Sequence, residues 1–202
     1  MGCERHSCYC RDVSTEIGLR ELTRRTVRAQ IAKEAMALFV RQGFEETTLD
    51  QIAAAVGISG RSVSRYFPTK EDMVVGNLLE VGQRVAAALA ERPPGERPWT
   101  ALRHALEVVV RSIVDGDAGL AGTTMIANTP ALRAAMTQKH AHWQQLLAPD
   151  ITARLGGDEL AARAVVAAAL SALDVAATIW TEQGGATPLG ELLDASLAAI
   201  KR

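Results

Sequence analysis

Apolar residues recur at intervals of three and four positions along most of this chain, and no segment alternates apolar and polar residues as a strand does. The first long stretch of this kind, residues 22–42, carries one apolar stripe, formed by Val27, Ile31, Ala35, Leu38 and Phe39. Hydrophobic residues make up 48% of the chain and aromatic residues only 4%, with alanine prominent among the apolar positions. The spacing and the composition together predict an all-α fold.

Two short helices joined by a tight turn are predicted between residues 47 and 68. Thr48 can cap the first of them, because its hydroxyl can accept a hydrogen bond from a backbone N–H in the first turn. Gly57 can adopt the left-handed conformation that ends this helix. The apolar face between these two ends is formed by Leu49, Ile52, Ala53 and Val56.

The second short helix begins after Ser59, which can cap it, and it has Val63 as its single inward-facing apolar residue. Tyr66 and Phe67 close this helix, and Thr69 can cap the next one. A short helix bearing arginines and hydroxyls can enter the major groove of DNA. A plain helical hairpin has the same spacing, so both interpretations remain open for this helix. Its polar side chains are Arg61, Ser62, Ser64 and Arg65.

Six longer or later helices are predicted downstream, separated by breaks rich in proline and glycine. The first is a connecting helix from Lys70 to about Glu91, ended by the sequence ERPPGERP. The remaining five cover residues 99–114, 120–126, 130–147, 158–183 and 188–200.

Charge is distributed unevenly along the chain, although the whole chain has a net charge of only −1. Residues 20–70 contain nine Lys/Arg against five Asp/Glu, whereas residues 71–202 contain eleven against fifteen. A basic N-terminal part on an acidic remainder is what phosphate binding by one part of the molecule requires.

Five short motifs stand in register in the N-terminal part: Gly43-Phe44, Thr47-Thr48, Ile52-Ala53, Ile58-Ser59 and Tyr66-Phe67-Pro68-Thr69-Lys70-Glu71. In this combination they resemble the N-terminal domain of TetR-type one-component repressors. The resemblance covers residues 22–73 at the level of motifs and extends further only as a similar length and an all-helical pattern. Ser64 departs from it, because the family most often has a tyrosine at that position.

The resemblance implies a role for each residue that matches its motifs. Thr48, Tyr66 and Lys70 are expected to contact DNA phosphates, with packing of the Tyr66 ring between helices as the alternative. Ser59 and Ser64 complete the expected DNA-binding set, in which Ser64 faces a base rather than a phosphate. The expected base-reading residues are Arg61, Ser62 and Arg65.

Residues 1–19 have no apolar periodicity, so we expect a mobile leader there. The resemblance implies that residues 20–69 are a helix-turn-helix DNA-binding domain and residues 70–202 a ligand-binding and dimerisation domain. The last two helices would pair with those of a second copy to form a homodimer. Two reading helices would then face a pseudo-palindromic operator on double-stranded DNA.

A small-molecule site is expected in the C-terminal domain, for a small apolar or amphipathic ligand. Ser171, Asp174, Thr178 and Thr181 form a polar stripe on one predicted helix, which is either a cavity wall or a solvent-exposed strip beside the dimer interface. Further cavity candidates combine an apolar body with a polar group. The full candidate set is His104, Met125, Asn128, Trp143, Asp174 and Trp180.

Other functional classes find less support in the residues. No catalytic motif such as His-Glu-x-x-His, a nucleophile elbow or a phosphate-binding glycine loop occurs, so we expect no enzyme and no cofactor. Cys3, Cys8 and Cys10 with His6 lack the second ligand pair of a zinc site, so no metal is expected. No signal peptide or uninterrupted apolar span is recognised, which predicts a cytoplasmic protein. We therefore expect a ligand-released transcriptional repressor; a protein-binding adaptor or an enzyme with an unrecognised site are the alternatives.

Overall fold

The computed structural model describes residues 13–76, 78–116 and 119–200, and these residues form helices and connecting turns without a strand. The predicted all-α fold is confirmed. In chain order the helices are α1 (Val13–Gln42), α2 (Leu49–Val56), α3 (Gly60–Tyr66), α4 (Lys70–Val75), α5 (Leu78–Ala90), α6 (Pro98–Val114), α7 (Gly119–Asn128), α8 (Pro130–Arg154), α9 (Glu159–Glu182) and α10 (Leu189–Ile200).

Local hydrogen bonds begin and end the short helices as the sequence predicts. Thr48 caps α2 in a reciprocal arrangement, since its hydroxyl accepts from the Gln51 N–H at 3.2 Å and its own N–H donates to the Gln51 side chain at 2.9 Å. Gly57 ends α2 with φ of 73°. Ser59 and Thr69 cap α3 and α4.

Helices α1 to α3 pack around a small apolar core, which we call the head core. Its largest fully buried side chains are Phe39, Phe67, Ile31, Ile52 and Met73. One member, Leu132, comes from the first turn of α8, and Met125 and Ile126 of α7 pack against the same cluster. The head core is therefore continuous with helices of the C-terminal domain.

Three predicted boundaries differ in the structure. Helix α1 begins at Val13, within the expected leader, so the predicted start of the first helix is too late; the leader's mobility stays a prediction, and residues 1–12 lie outside the described residues. The connecting helix is divided into α4 and α5 around Gly76, where a Cβ would lie only 2.8 Å from the Arg28 guanidinium of α1. Helix α8 continues past Leu147, through Pro149, to Arg154.

The larger C-terminal core is formed by α5, α6, α8, α9 and α10. Arg154 fixes the end of α8 to the end of α5, because its guanidinium donates to the carbonyl oxygens of Leu89, Arg92 and Pro93. Leu89 lies in the last turn of α5, where carbonyls lack a partner within the helix, and Arg92 and Pro93 lie in the turn that follows. The Arg154 side chain, 95% buried, is thus held by these hydrogen bonds and by its ion pair with Asp150.

Among the described residues, α9 is the one helix long and apolar enough to cross a membrane by length and composition. It contains Arg163 and Asp174, and eight of its residues are buried against neighbouring helices of the C-terminal core. A central helix of a globular domain meets the same test, so the packing of α9 accounts for its composition.

Candidate nucleic-acid interface and internal cavity

Helix α3 directs its polar side chains away from the head. Val63 is completely buried and is the one buried residue of this helix, whereas Arg61, Ser64 and Arg65 are exposed. Arg61 and Arg65 make no hydrogen bond or ion pair with the described part of the chain. Two arginines without partners on one exposed face can donate to base edges or phosphates without first breaking an internal bond.

The three serines of this region are already engaged with the backbone or with one another. Ser59 accepts from the Ser62 N–H at 3.2 Å, and the two hydroxyls lie 2.9 Å apart. Ser64 donates to the Gly60 carbonyl at 3.1 Å, which leaves its oxygen free only as an acceptor. The arginines are therefore the principal free hydrogen-bond donors of this face.

Tyr66 is half-buried and lies in a shallow groove between α3 and the N-terminal part of α1. Its carbonyl accepts from the Arg28 guanidinium at 2.6 Å, and that guanidinium lies 4.1 Å from the centre of the Phe67 ring. Arg28 therefore braces the end of α3 against α1. The groove, of about 450 Å³, is lined by Leu19, Arg20, Thr23, Arg24, Arg65 and Tyr66.

Lys70 occupies a different position from the one its expected role suggests. Its ammonium donates to the carbonyls of Phe44, Glu45 and Thr47, at 2.9, 3.3 and 3.1 Å, and lies 4.7 Å from the centre of the Phe44 ring. An ammonium has three N–H donors, so all of them are engaged within the loop between α1 and α2. A phosphate contact would require the loss of one of these bonds.

Thr48 and Thr47 have separate functions in the same loop. The Thr48 side chain is exposed at the start of α2, where a phosphate could approach it. Thr47 is 1% exposed and donates to the Gly43 carbonyl at 2.7 Å, while the Gln42 side chain donates to its hydroxyl at 3.2 Å. The buried threonine therefore stabilises the turn that presents its exposed neighbour.

A cavity of about 330 Å³ lies in the C-terminal domain between α6, α7, α8 and α9. One wall is mainly apolar and the other carries polar groups from α8 and α9. The lining residues are Val109, Ile113, Thr123, Ile126, Ala127, Arg133, Met136, Thr137, His140, Trp143, Leu173, Asp174, Ala177 and Thr178. A concave, mostly apolar site with a few polar groups is typical of small-molecule binding.

His140 and Asp174 form the centre of the polar wall. The His140 Nδ1 lies 3.2 Å from the Asp174 carboxylate, with 12% of the histidine side chain and 54% of the aspartate side chain exposed. The imidazole also lies against Trp143, with 5.9 Å between ring centres. Gly82 of α5 makes room for this tryptophan, because a Cβ there would fall 2.3 Å from the indole nitrogen.

The structure places Trp143 and Asp174 in this cavity but puts the other four candidates elsewhere. The His104 side chain is 55% exposed and lies 4.0 Å from Glu96 on the outer surface. Met125 packs on the head core and Trp180 belongs to the C-terminal core, because each has a largely apolar surface that neighbouring helices cover. Asn128 is exposed at the end of α7. These four residues do not line this cavity, and their contact with a ligand stays a prediction.

Of the α8 residues that line the cavity, sequence reasoning found Trp143 but missed the polar ones. Arg133, Thr137 and His140 follow one another at spacings of four and three residues, so they lie on one face of α8. The spacing of these polar residues can be read from the sequence. It indicates a cavity wall only once the apolar face of the same helix is known to pack on the core. The Asp174 stripe of α9 is its counterpart across the cavity.

The head and the cavity domain meet where α8 contacts α4. The Lys139 ammonium donates to the Val75 carbonyl in the last turn of α4. Burial lowers the pKa of Lys139 from its ordinary 10.5 to about 8, while nearby Asp72 opposes the shift and Arg28 adds to it. Lys139 is adjacent in sequence to the cavity residue His140, so one turn of α8 touches both the cavity and α4.

Within residues 13–76, 78–116 and 119–200, no group of three or more histidine, cysteine or acidic side chains could hold a metal ion. Cys3, Cys8, Cys10 and His6 lie outside that part of the chain.

A helix-turn-helix head with free arginines, joined to a helical body that encloses a cavity, defines a DNA-binding regulator of the one-component class. Two family models match the chain: bacterial regulatory proteins of the tetR family over residues 31–75, and the MftR C-terminal domain over residues 96–202. The chain belongs to the TetR family of transcriptional regulators. Proteins of this family bind DNA and small-molecule ligands such as acyl-CoA.

Two curated proteins are similar in sequence. The HTH-type transcriptional regulator TcmR of Streptomyces glaucescens is 34% identical over 148 residues, which cover 70% of this chain and 66% of TcmR. The regulator MftR of Mycobacterium tuberculosis is 27% identical over 136 residues, which cover 66% of this chain and 68% of MftR. The chain thus matches about two thirds of the length of each relative.

Solved structures share the fold at lower identity. FadR of Thermus thermophilus, a repressor in complex with lauroyl-CoA, is 24% identical with a TM-score of 0.57 and covers 85% of this chain and 91% of its own. FadR of Bacillus subtilis, in complex with stearoyl-CoA, is 18% identical with a TM-score of 0.60, and the match covers 84% of this chain and 95% of that FadR chain. NalD, a repressor of a multidrug efflux pump in Pseudomonas aeruginosa, is 20% identical with a TM-score of 0.59, and the match covers 88% of this chain and 95% of the NalD chain.

Proposed function

We propose that this protein is a sequence-specific transcriptional repressor that binds a pseudo-palindromic operator as a homodimer in the cytoplasm and leaves it when a small molecule enters the C-terminal domain. The observation that carries the proposal is the exposed face of α3, with Arg61 and Arg65 free of internal partners. Since only Val63 of this helix is buried, its other side chains contribute little to packing. Family membership supports the same assignment.

The contacts divide into base reading and phosphate binding. Arg61 and Arg65 read base edges in the major groove, assisted by Ser62 and the acceptor oxygen of Ser64. The exposed hydroxyl of Thr48 and the Tyr66 side chain bind phosphates, and Ser59 lies at the N-terminus of α3 beside them. The groove beside Tyr66 adds two further phosphate-binding arginines, Arg20 and Arg24.

We infer a supporting role for Lys70 in place of a direct phosphate contact. Its three bonds join the α1–α2 loop to the first turn of α4. They hold the loop that presents Thr48, so Lys70 acts on DNA binding through the shape of the head.

Dimerisation through α9 and α10 suits the exposed surface of these helices. Small residues recur among their outward positions, between charged side chains, and small residues let two helices approach closely. A single α3 reaches few base pairs, whereas two-fold symmetry places two such helices on successive half-sites. The exposed small or apolar positions include Leu160, Ala164, Ser171, Val175, Ala195, Ala198, Ala199 and Ile200.

Ligand release follows from helices that serve both sites. Helix α7 lines the cavity through Thr123 and packs on the head core through Met125, and Ile126 does both. Helix α8 likewise combines the cavity residue His140 with the head-core residue Leu132. A ligand that binds better to the released arrangement shifts the population toward it, by the ratio of its two affinities.

The decisive experiment titrates the purified protein against its own upstream intergenic DNA and against a scrambled duplex of equal length, at two salt concentrations. We expect tight, salt-sensitive binding of whole dimers to the native duplex alone. Equal weak binding to both duplexes, repeated on fragments selected from the whole genome, would reject sequence-specific binding.

Two alternatives make different predictions. For a protein-binding adaptor, reversing the charges of Arg61 and Arg65 to Glu would leave promoter control in cells unchanged, whereas the repressor loses it. For an enzyme, a molecule bound in the cavity would be recovered chemically altered. The TetR family is regulatory, which favours binding without turnover.

A further inference from the structure

The polar wall of the cavity consists largely of groups that can only accept hydrogen bonds. We propose that the cavity selects an apolar molecule whose polar end donates hydrogen bonds, a hydroxyl or an ammonium group, over one that ends in a carboxylate. The inference rests on the proposed function, which supplies the reason for a ligand, but it concerns binding in the cavity alone.

Three threonines line the cavity, and each donates its hydroxyl hydrogen to a carbonyl of its own helix. Thr123 donates to the Gly119 carbonyl at 3.0 Å, Thr137 to that of Arg133 at 3.1 Å, and Thr178 to that of Asp174 at 2.9 Å. A hydroxyl has one hydrogen, so each oxygen then has only lone pairs to offer a ligand. These three oxygens accept and do not donate.

The pair at the centre of the wall has the same character. His140 Nδ1 lies 3.2 Å from the Asp174 carboxylate, within reach of a hydrogen bond in which the imidazole N–H donates. An imidazole that places its single hydrogen there has Nε2 as an acceptor, and a carboxylate accepts at every lone pair. A ligand hydroxyl can donate to either atom, and an ammonium group can donate to the carboxylate with the additional attraction of opposite charge.

The lining contains one cation, Arg133, which lies on the same face of α8 as Thr137 and His140. Arg133 is exposed near the start of α8, two turns before His140, and its Nη1 already donates to the Ala127 carbonyl at 2.7 Å. A ligand carboxylate placed beside His140 would face the Asp174 carboxylate. Two like charges at short distance in a partly apolar site disfavour each other's ionised form.

The opposite wall accommodates an apolar body. It is formed by side chains of α6, α7 and α9 together with the ring of Trp143. The cavity of about 330 Å³ is near the lower end of small-molecule sites, which suits a short chain or a few fused rings. The apolar residues of this wall are Val109, Ile113, Ile126, Leu173 and Ala177.

The test compares three probes with the same ten-carbon chain: 1-decanol, decylamine and decanoate. Binding to the full-length protein is measured without DNA by calorimetry and by tryptophan fluorescence, below the concentration at which the probes form micelles. We expect 1-decanol or decylamine to bind at least roughly tenfold more tightly than decanoate, the size of one hydrogen bond to a charged acceptor.

A matched pair of variants locates the effect. Asp174→Asn keeps the size of the side chain but removes its charge and replaces one of its two acceptor oxygens by an NH₂ donor, so the preference over decanoate should shrink several-fold. Glu182→Gln makes the same chemical change on an exposed residue of α9 outside the cavity, and should leave the preference unchanged. Comparing 1-decanol with decylamine shows whether the donor that the wall prefers is neutral or cationic.

Decanoate binding as tightly as the other probes, or an equal loss of preference in Glu182→Gln, would overturn the inference. So would the failure of all three probes to bind. These outcomes leave the operator titration unaffected, because that experiment measures the DNA-binding head directly. A protein that binds its operator but shows no donor preference would retain the proposed function and lose this ligand class.

Discussion

Arg61 projects from α3 with no internal partner, so its removal changes the DNA complex and leaves the free protein intact. We expect Arg61→Ala to cost about 1–3 kcal/mol of binding free energy on the operator and to relax base preference at one position of each half-site. Binding to operators with single base substitutions would measure both the loss of free energy and the change in base preference. Arg163→Ala, an exposed arginine of α9, is the control, and equal losses for Arg61→Ala on specific and random duplexes would contradict base reading.

For Lys70 we expect the opposite of Arg61: its removal should change the free protein, because its ammonium is engaged within the head. Lys70→Met keeps the aliphatic chain over Phe44 but leaves three loop carbonyls without their donor. We expect it to lower the free energy of unfolding by about 1–3 kcal/mol and to weaken binding to every duplex alike. Chemical denaturation measures the stability, and a salt titration of DNA binding measures the affinity. If Lys70→Met leaves the stability unchanged but makes DNA binding less dependent on salt, Lys70 contacts a phosphate after all.

The two residues also show which contacts a sequence reveals. The caps Thr48, Gly57, Ser59 and Thr69 were predicted correctly because a cap acts within three or four residues of itself. The bonds of Lys70 reach carbonyls 23 to 26 residues away, and nothing in local spacing indicates them. For the same reason the sequence predicted the exposed arginines of α3 but not the position of Lys70.

At the scale of elements, the separation between α5 and α8 depends on one glycine. A Cβ at position 82 would lie 2.3 Å from Nε1 and 2.6 Å from Cδ1 of Trp143, so the tryptophan or the helix must move. We expect Gly82→Ala to destabilise the protein by about 1–3 kcal/mol and to change the affinity of the cavity for the decyl probes. Thermal unfolding and calorimetry measure this.

Gly95→Ala is the matched control, since a Cβ there meets nothing within 4 Å. A Gly82→Ala protein as stable as the Gly95→Ala protein, with unchanged probe binding, would show that Trp143 does not depend on this close approach.

The contact between α8 and α4 predicts a pH dependence. The pKa of Lys139 is lowered to about 8 in the folded protein, whereas an unfolded chain has the ordinary 10.5. Between these values the unfolded chain binds more protons, so the contribution of Lys139 to stability rises as pH increases from about 8 towards 10.5. Below about 8 both states are protonated and the contribution no longer changes.

Lys139→Met isolates this residue, since every other titrating group is common to both proteins. We expect the unfolding free energy of the wild type, measured relative to the variant by urea denaturation, to increase across pH 8 to 10. A constant difference would mean that the ammonium remains protonated throughout.

Element boundaries were predictable where the chain carries its own signal. Helices α6, α7, α9 and α10 begin and end within two residues of prediction, because prolines, glycines and caps bound them. The length of α8 depends on a tertiary contact. Its end is held by Arg154 on the carbonyl of Leu89 in α5 and on those of Arg92 and Pro93 in the turn after α5. The cavity follows the same rule, since it requires the relative positions of four helices.

At the scale of the whole molecule, the number of free cations sets the salt dependence. Among the described residues, the arginines on α3 or in the groove beside it that lack internal bonds are Arg20, Arg24, Arg61 and Arg65, whereas Arg28 and Lys70 bind carbonyls and Arg25 pairs with Glu21. For the proposed dimer, eight free arginines give a slope of log K against log salt no steeper than about −7. A titration from 50 to 300 mM salt measures this slope.

A slope much steeper than this would mean that Arg28 or Lys70 leaves its carbonyls when DNA binds. Repeating the titration with Arg28→Met would identify the residue, because only a cation that reaches a phosphate changes the slope on removal.

The cations held by carbonyls retain their charge, and an electric field extends further than a hydrogen bond. Arg28 and Lys70 therefore raise the positive potential around α3 and increase the rate at which the protein meets a polyanion, although neither touches it. The lifetime of the complex depends instead on the arginines that reach bases and phosphates. Two side chains that fold the head thus also determine how quickly it finds its target, and the free arginines determine how long it stays.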